Sequence, residues 1–418
     1  MSTIQTATVA AIETRMAVAL SPKAGAAQPR AGYSVAIGYL RAFVTVLVLA
    51  HHAVLAYVPF AAAVPVSLAA QPRIWQAFPV VDAQKWGAFG LFTSFNDNFF
   101  MSLMFFVSGL FVWKGLERKG SGTFLRDRML RLGVPFVAAA AIIAPMAYYP
   151  TYLQMGQRGL AGYYREWSAL GTWPAGPAWF VWVLLAFDCV AAALFAMIPR
   201  WGEAFGGFLT RAARRPAVFF GILVAVSAAA YIPMALVFNP FVWVEFGPFF
   251  FQTSRILHYL VYFLTGAAVG ACGTEGGLFA PDGKLARRWP LWCVAAVIFF
   301  GAAIAVFLAA IAAQNSPYKW GTVGGVTFAL SCGASCLASL ALFVRFARKP
   351  RRIFDSLRDN AYGMYLVHYP FASWLQLALL NANLPGAAKG IIVIIGTVAL
   401  SWGATATLRR IPAVARVI

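Results

Sequence analysis

Residues 38–57 read GYLRAFVTVLVLAHHAVLAY, twenty positions with one arginine, two adjacent histidines and otherwise uncharged side chains. A helix needs about 20 mostly apolar residues to cross a hydrocarbon core roughly 30 Å thick, and this stretch has that length. An arginine inside such a helix costs roughly 2.5–3.5 kcal/mol at mid-membrane on insertion scales. Arg41 lies near one end, where its stem lets the charge snorkel to the surface. The histidines lie about two-thirds of the way to the other face. At about 100° per residue, eleven residues return to within roughly 20° of the start, so Arg41 and His52 share one face. They are about 16 Å apart along the axis, and His51 points roughly 80° away from Arg41. His52 is therefore the better candidate for a polar path through a bundle, with Arg41 at its inner end. The competing reading is a packing histidine bonded to a backbone carbonyl; two ionisable groups on one face weigh against it. A neutral imidazole, with an unperturbed pKa near 6.5, suits proton abstraction from a hydroxyl.

The rest of the chain has the same character. Of 418 residues, 61% are hydrophobic, 16% aromatic and only 11% charged, and the mean hydropathy is +0.73. A water-soluble chain of this size needs more charged surface than that. The apolar stretches predict an all-α, polytopic transmembrane bundle of about ten spans, at 37–57, 92–113, 132–150, 177–198, 217–238, 253–273, 289–312, 322–344, 361–380 and 389–408. Strands at the ten-residue spacing of a barrel are not evident. With the N-terminus inside, Lys114, Arg118, Lys119, Arg126, Arg128 and Arg131 fall in one cytoplasmic loop, and later basic clusters through Arg409, Arg410 and Arg416 fall on the same side. The outer loops hold only Arg73, Lys85, Arg158, Arg165, Lys319 and Lys389, which predicts both termini in the cytoplasm. The net charge of +20 is then positive-inside bias and implies no nucleic-acid partner. Residues 1–35 read as a disordered cytoplasmic leader, 36–410 as the membrane domain and 411–418 as a short cytoplasmic tail. Cys189, Cys272, Cys293, Cys332 and Cys336 have no metal-site spacing and read as packing residues. Trp75, Trp86, Trp167 and Trp173, in the long outer loops 58–91 and 151–176, suit interfacial anchoring or stacking on sugar faces.

Further segments add to the first span. FFMSLMFFVSGLFVWKGLERKG (99–120) runs into TFLRDRMLRLGVPF (123–136), and GPAWFVWVLLAFD (176–188) and DNAYGMYLVHYP (359–370) follow at the fourth and ninth spans. With the Arg41-to-His52 spacing, these segments resemble the bacterial acyltransferase 3 family of membrane O-acyltransferases over residues 37–408. The single-domain form with SFNDNFFMSLMFFVSGLFV most resembles the glucan-modifying, succinylating branch. Where the family commonly has a His- or Arg-containing polar segment before a Pro-Leu-Phe, this chain has Asn96-Asp97-Asn98 and Met-Ser-Leu.

The resemblance implies transfer of an acyl group of the acetyl or succinyl class, usually from cytoplasmic acyl-CoA, to a hydroxyl of a periplasmic glucan, envelope polysaccharide or glycolipid. It implies a bacterial inner membrane, surrounding lipids as partners, acyl-CoA as co-substrate and no permanently bound cofactor or metal. It makes His52 the catalytic residue, and places Arg41 and the Arg128/Arg131 pair, with Arg126 beside them, at the donor side. Guanidinium forks suit the phosphates of CoA, and Arg128 and Arg131 share a helix face if the helix is regular. Asp97, His368 and Glu245 are candidate acceptor or supporting groups, the first two because they approach the outer side where His52 lies. Asp188, Arg255 and His258 are further intramembrane ionisable groups. The alternative from another class is a proton-coupled transporter or flippase of a lipid-linked or small polar substrate, which an Arg/His line through ten spans also suits.

Overall fold

The computed structural model describes residues 35–273, 277–313 and 321–418. The leader assigned to 1–35 lies outside these residues except for Val35, as does Lys319. The described chain is a bundle of helices with one short hairpin. Helix α1 is Val35–Val54 and α2 is Gly87–Gly109. Helix α3, Val112–Arg128, is broken at Gly120, whose φ of 71° only glycine adopts readily. It runs through a π-turn (Met129–Gly133), a short α segment (Val134–Ala138) and a second π-turn (Ala139–Ile143) into α4, Ala144–Gln154. Then come α5 (Leu160–Ser168), α6 (Trp179–Met197), α7 (Trp201–Ala213) and α8 (Pro216–Phe238). The antiparallel hairpin β1 (Trp243–Phe246) and β2 (Phe249–Gln252) leads to α9 (Ile256–Ala271). Helices α10 (Trp289–Ala312), α11 (Thr322–Phe346), α12 (Arg352–Ala378) and α13 (Gly386–Leu408) complete the bundle.

Among the described residues, seven helices are long and apolar enough to cross a membrane by length and composition. The helices α2, α9 and α12 are not among them. The reason is chemical: α2 carries Asn96-Asp97-Asn98, α12 carries Asp355, Arg358, Asp359 and His368, and α9 is short. The expected stretch at 361–380 falls on a helix that starts nine residues sooner, at Arg352, and ends two residues sooner, at Ala378. That polar first turn is supported by the i,i+3 pair Asp355–Arg358 at 2.9 Å and by Tyr39, whose hydroxyl donates to Asp355 at 2.9 Å.

Helix α1 lies in the interior, packed on α12, α13, α2 and α11. Beside it, α2 and α9 approach backbone to backbone. A Cβ added at Gly109 would meet the Phe263 carbonyl oxygen at 2.2 Å. Gly266 and Gly270 of α9 stand equally close to the carbonyls of Phe106 and Leu110. Gly266 and Gly270 are four residues apart, the spacing of a small-residue seam that lets membrane helices dock without side chains between them.

Candidate active site

Helix α1 runs into a 3-10 turn at Leu55–Tyr57, and the last carbonyls of an α-helix lack partners within the helix itself. Gln376 of α12 supplies a partner: its Nε2 donates to the carbonyls of His52 and Ala53 at 2.9 and 3.0 Å. This clamp sets the height of His52 against α12. Eight residues before Gln376, His368 meets His52, with Nε2 of His368 and Nδ1 of His52 3.2 Å apart. Both rings are tied to their own helices. His52 Nδ1 lies 2.9 Å from the Val48 carbonyl and His368 Nδ1 lies 2.6 Å from the Tyr365 carbonyl.

A carbonyl only accepts, so each Nδ1 carries the proton, and this assigns the tautomers from the network. The His52 N–H is shared between Val48 and the lone pair on His368 Nε2. Nε2 of His52 then holds a free lone pair, and no described residue hydrogen-bonds it. His52 is partly open, whereas His368 is fully buried. Tyr369 stands edge-on to the His52 ring at 5.3 Å. Tyr148 and Tyr369 both donate to the Gln76 carbonyl, which ties the 58–86 loop to α4 and α12 beside the histidines. Further straps are Thr151 to the Pro79 carbonyl and Gln154, which exchanges two bonds with the backbone of Val81.

The other sequence-chosen residues divide into several places. Arg41 lies on α1 below His52, partly buried, and its buried Nε has no hydrogen-bond partner among the described residues. Asp97 does not pair with His52. Its carboxylate accepts from Arg255 Nη2 at 2.7 Å, and Arg255 Nη1 also donates to the Asp97 carbonyl at 3.0 Å. The Asp97 side chain is 51% exposed while that of Arg255 is 7% exposed, so the carboxylate opens into a crevice and the guanidinium is its buried anchor. Arg255 also sits 5.0 Å over the Phe328 ring. Glu245, in β1, pairs with Arg73 at 3.5 Å, and Arg73 also holds Thr172 and the Leu170 carbonyl.

Arg128 and Arg131, expected together at the donor side, do not act as one fork. Arg128 turns to the fully buried Asp188 at 3.3 Å and over Phe124 at 5.0 Å. The π-turn that begins at Met129 breaks the regular phase, and Arg131 is exposed, as is Arg126. The expectation of a shared face assumed an unbroken α-helix.

The Gln376 clamp and the pairing of Asp97 with Arg255 were not read from the sequence. Gln376 had a usable signal, being a buried amide eight residues beyond His368 on one helix. A further buried pair, Lys389 with Asp82 at 2.7 Å, joins residues too distant in the chain for any local pattern to show.

The family model described as an acyltransferase domain matches residues 34–406. The chain belongs to the acyltransferase 3 family. It is a multi-pass membrane acyltransferase, of a family acting on carbohydrates in general. No curated protein and no solved structure matches it. The match spans α1 through nearly all of α13, so both histidines and the Gln376 clamp belong to the acyltransferase domain.

Proposed function

We propose that this acyltransferase moves an acyl group of the acetyl or succinyl class from cytoplasmic acyl-CoA to a hydroxyl of a cell-envelope carbohydrate, with His52 as general base. The observation that carries the reading is the His52–His368 contact. One nitrogen of His52 is committed to Val48 and His368, and the other is free. A base so held presents its lone pair in one orientation.

In the proposed step, His52 Nε2 takes the proton of the acceptor hydroxyl. The acceptor oxygen forms the new C–O bond to the thioester carbonyl carbon, the C–S bond breaks, and CoA leaves as the thiolate. The proton returns from His52 to the thiolate. While His52 is charged, its Nδ1–H points at two acceptors, the Val48 carbonyl and His368 Nε2, which favours the cation. His368 is thus a positioning residue. Arg41, with Arg126, Arg128 and Arg131, is read as the donor side, where exposed guanidinium groups suit CoA phosphates. Arg128 would serve only by exchanging Asp188 for phosphate. Asp97 and Glu245 are read as acceptor-side groups, Asp97 because its carboxylate opens into the crevice.

The orientation rests on loop charge: ten spans, both termini cytoplasmic, in a bacterial inner membrane. The acceptor is read as a periplasmic glucan, envelope polysaccharide or glycolipid, in line with the glucan-modifying branch. The test compares envelope glycans, by mass spectrometry, from cells carrying no protein, the wild type and His52→Ala. Ester-linked acyl groups with the wild type alone support the reading. Substrate uptake by the purified protein without CoA release points to a carrier and sinks it.

A further inference from the structure

Next to the histidine pair, on the side away from α1, lies a small cavity. Its walls are Ala139 and Ile143 of the second π-turn, Ala144, Ala178 and, from α12, Leu366 and His368. The cavity has room for roughly one water-sized group. A π-turn adds a residue to the helical turn and pushes the wall aside, and such turns concentrate at functional sites. Here the displaced backbone is held from outside, since Trp173 Nε1 donates to the Ala140 carbonyl at 2.7 Å. Tyr365 closes another side, with its hydroxyl donating to the Pro177 carbonyl. Among the described residues, neither Lys nor Arg lines the space.

We infer that this cavity is the acyl subsite: it seats the methyl end of the donor beside His368 and makes the donor acetyl-like, short, straight and uncharged. The inference rests on the acyl-CoA reading above and narrows it. Ala139, Ala144, Ala175 and Ala178 leave a space of about methyl size, and Ile143 and Leu366 supply bulky walls. A succinyl chain would bring its carboxylate into an apolar site with no cation to meet it, which is unfavourable. A butyryl chain needs volume that Ile143 and Leu366 occupy. The same wall that touches the cavity touches His52, whose ring centre is 5.0 Å from that of His368. The seated methyl end is thus one ring removed from His52, with His368 between them.

The test needs no acceptor. Affinities of the purified full-length protein for CoA, acetyl-CoA, butyryl-CoA and succinyl-CoA are measured by calorimetry, on wild type, Ile143→Ala and Ala178→Val. Acetyl-CoA is expected to bind wild type about fourfold tighter than CoA, the worth of one buried methyl-sized group. Butyryl- and succinyl-CoA should bind no tighter than CoA. Ile143→Ala should pass the advantage to butyryl-CoA, and Ala178→Val should remove it from acetyl-CoA while leaving CoA affinity unchanged. Equal binding of CoA and its three thioesters by wild type would overturn the subsite and leave the donor reading standing. Binding of none of them would overturn the donor reading and the subsite with it. Tighter binding of succinyl-CoA than of acetyl-CoA would overturn the subsite alone.

Discussion

Helices α10 and α11 are packed against each other and are built on opposite plans. In α10 only 11% of the most apolar stretch is buried, and it exposes Leu291, Val294, Val297 and Ile298. In α11 the buried share is 72%, and the buried set includes Ser331, Cys332, Ser335 and Cys336. In water the outward helix would be the polar one. Here the solvent is hydrocarbon, so the most apolar surface faces out and small or weakly polar side chains fill the inside. Ionisable groups follow the same rule: His52, His368 and Arg255 lie in the interior, and none lies on the outward face of α10. Interior polarity then has two uses, chemistry and docking, and mutations can separate them.

The largest effect is expected from the chemical use. His52→Ala should reduce acyl transfer by about 10²–10⁴-fold, the usual worth of a positioned general base. Its yield and melting midpoint in detergent should stay near wild type, because His52 is partly open and a packing histidine it is not. Turnover within a few-fold of wild type would return His52 to the packing reading. His368→Gln should fall between the two, losing activity through a misoriented His52 and not through lost binding. A kcat loss with unchanged KM checks that; an equal change in KM would assign His368 to binding.

The docking use comes next. Asp97→Ala leaves the Arg255 guanidinium buried without its carboxylate. Breaking a buried pair costs about 3–5 kcal/mol, and the low end applies because Asp97 is itself half exposed. Unfolding midpoints in a denaturing detergent series measure the loss. Removing both charges together, as Asp97→Ala with Arg255→Leu, should recover much of it. No recovery would mean that Asp97 is held for the acceptor and not for the fold.

How much of this was legible beforehand follows from the same contrast. Apolar runs reveal helices regardless of what they pack on, so the stretch expected at 289–312 coincides with α10 from Trp289 to Ala312. Helical phase within one segment put His52 on the Arg41 face, and depth alone brought His368 to it. Pairing between segments left no trace in the chain. Asp97 was assigned toward His52 because both were expected near the outer side, but the turn before α9 places Arg255 against it, 158 positions away. The Arg128/Arg131 spacing misled for a local reason, a π-turn whose extra residue is invisible to a 3.6-residue count.

The outward face supplies a prediction of its own. Val297, 70% exposed, would be an ordinary site for an acidic residue in a soluble protein. Val297→Asp here puts a charge into hydrocarbon, at about 2.5–3.5 kcal/mol if the site is central in the membrane. Membrane-inserted yield should fall, while Val297→Leu leaves it unchanged. Equal yields would break the account of α10 as a lipid-facing helix.

The smallest effect is expected where an ion pair faces water. Asp282 accepts from Arg348 at 2.9 Å and lies 3.5 Å from Arg345, with its side chain 70% exposed. The Arg348 hydrogen bond, followed by its charge, holds the Asp282 carboxyl below the ordinary aspartate value. A carboxyl lowered in the folded state favours folding at pH values above its unfolded pKa, near 3.9, and the advantage disappears as pH falls through the lower folded value. Water and salt screen such a pair, so Asp282→Asn should melt with wild type at pH 7 in moderate salt. Any gap should open only at low salt, begin to close below about pH 4, and vanish as the pH falls through the lowered value of the folded Asp282. A large loss at pH 7 that salt does not reduce would show Asp282 to be shielded, and the contrast between the interior pair at Asp97 and this exposed one would no longer hold.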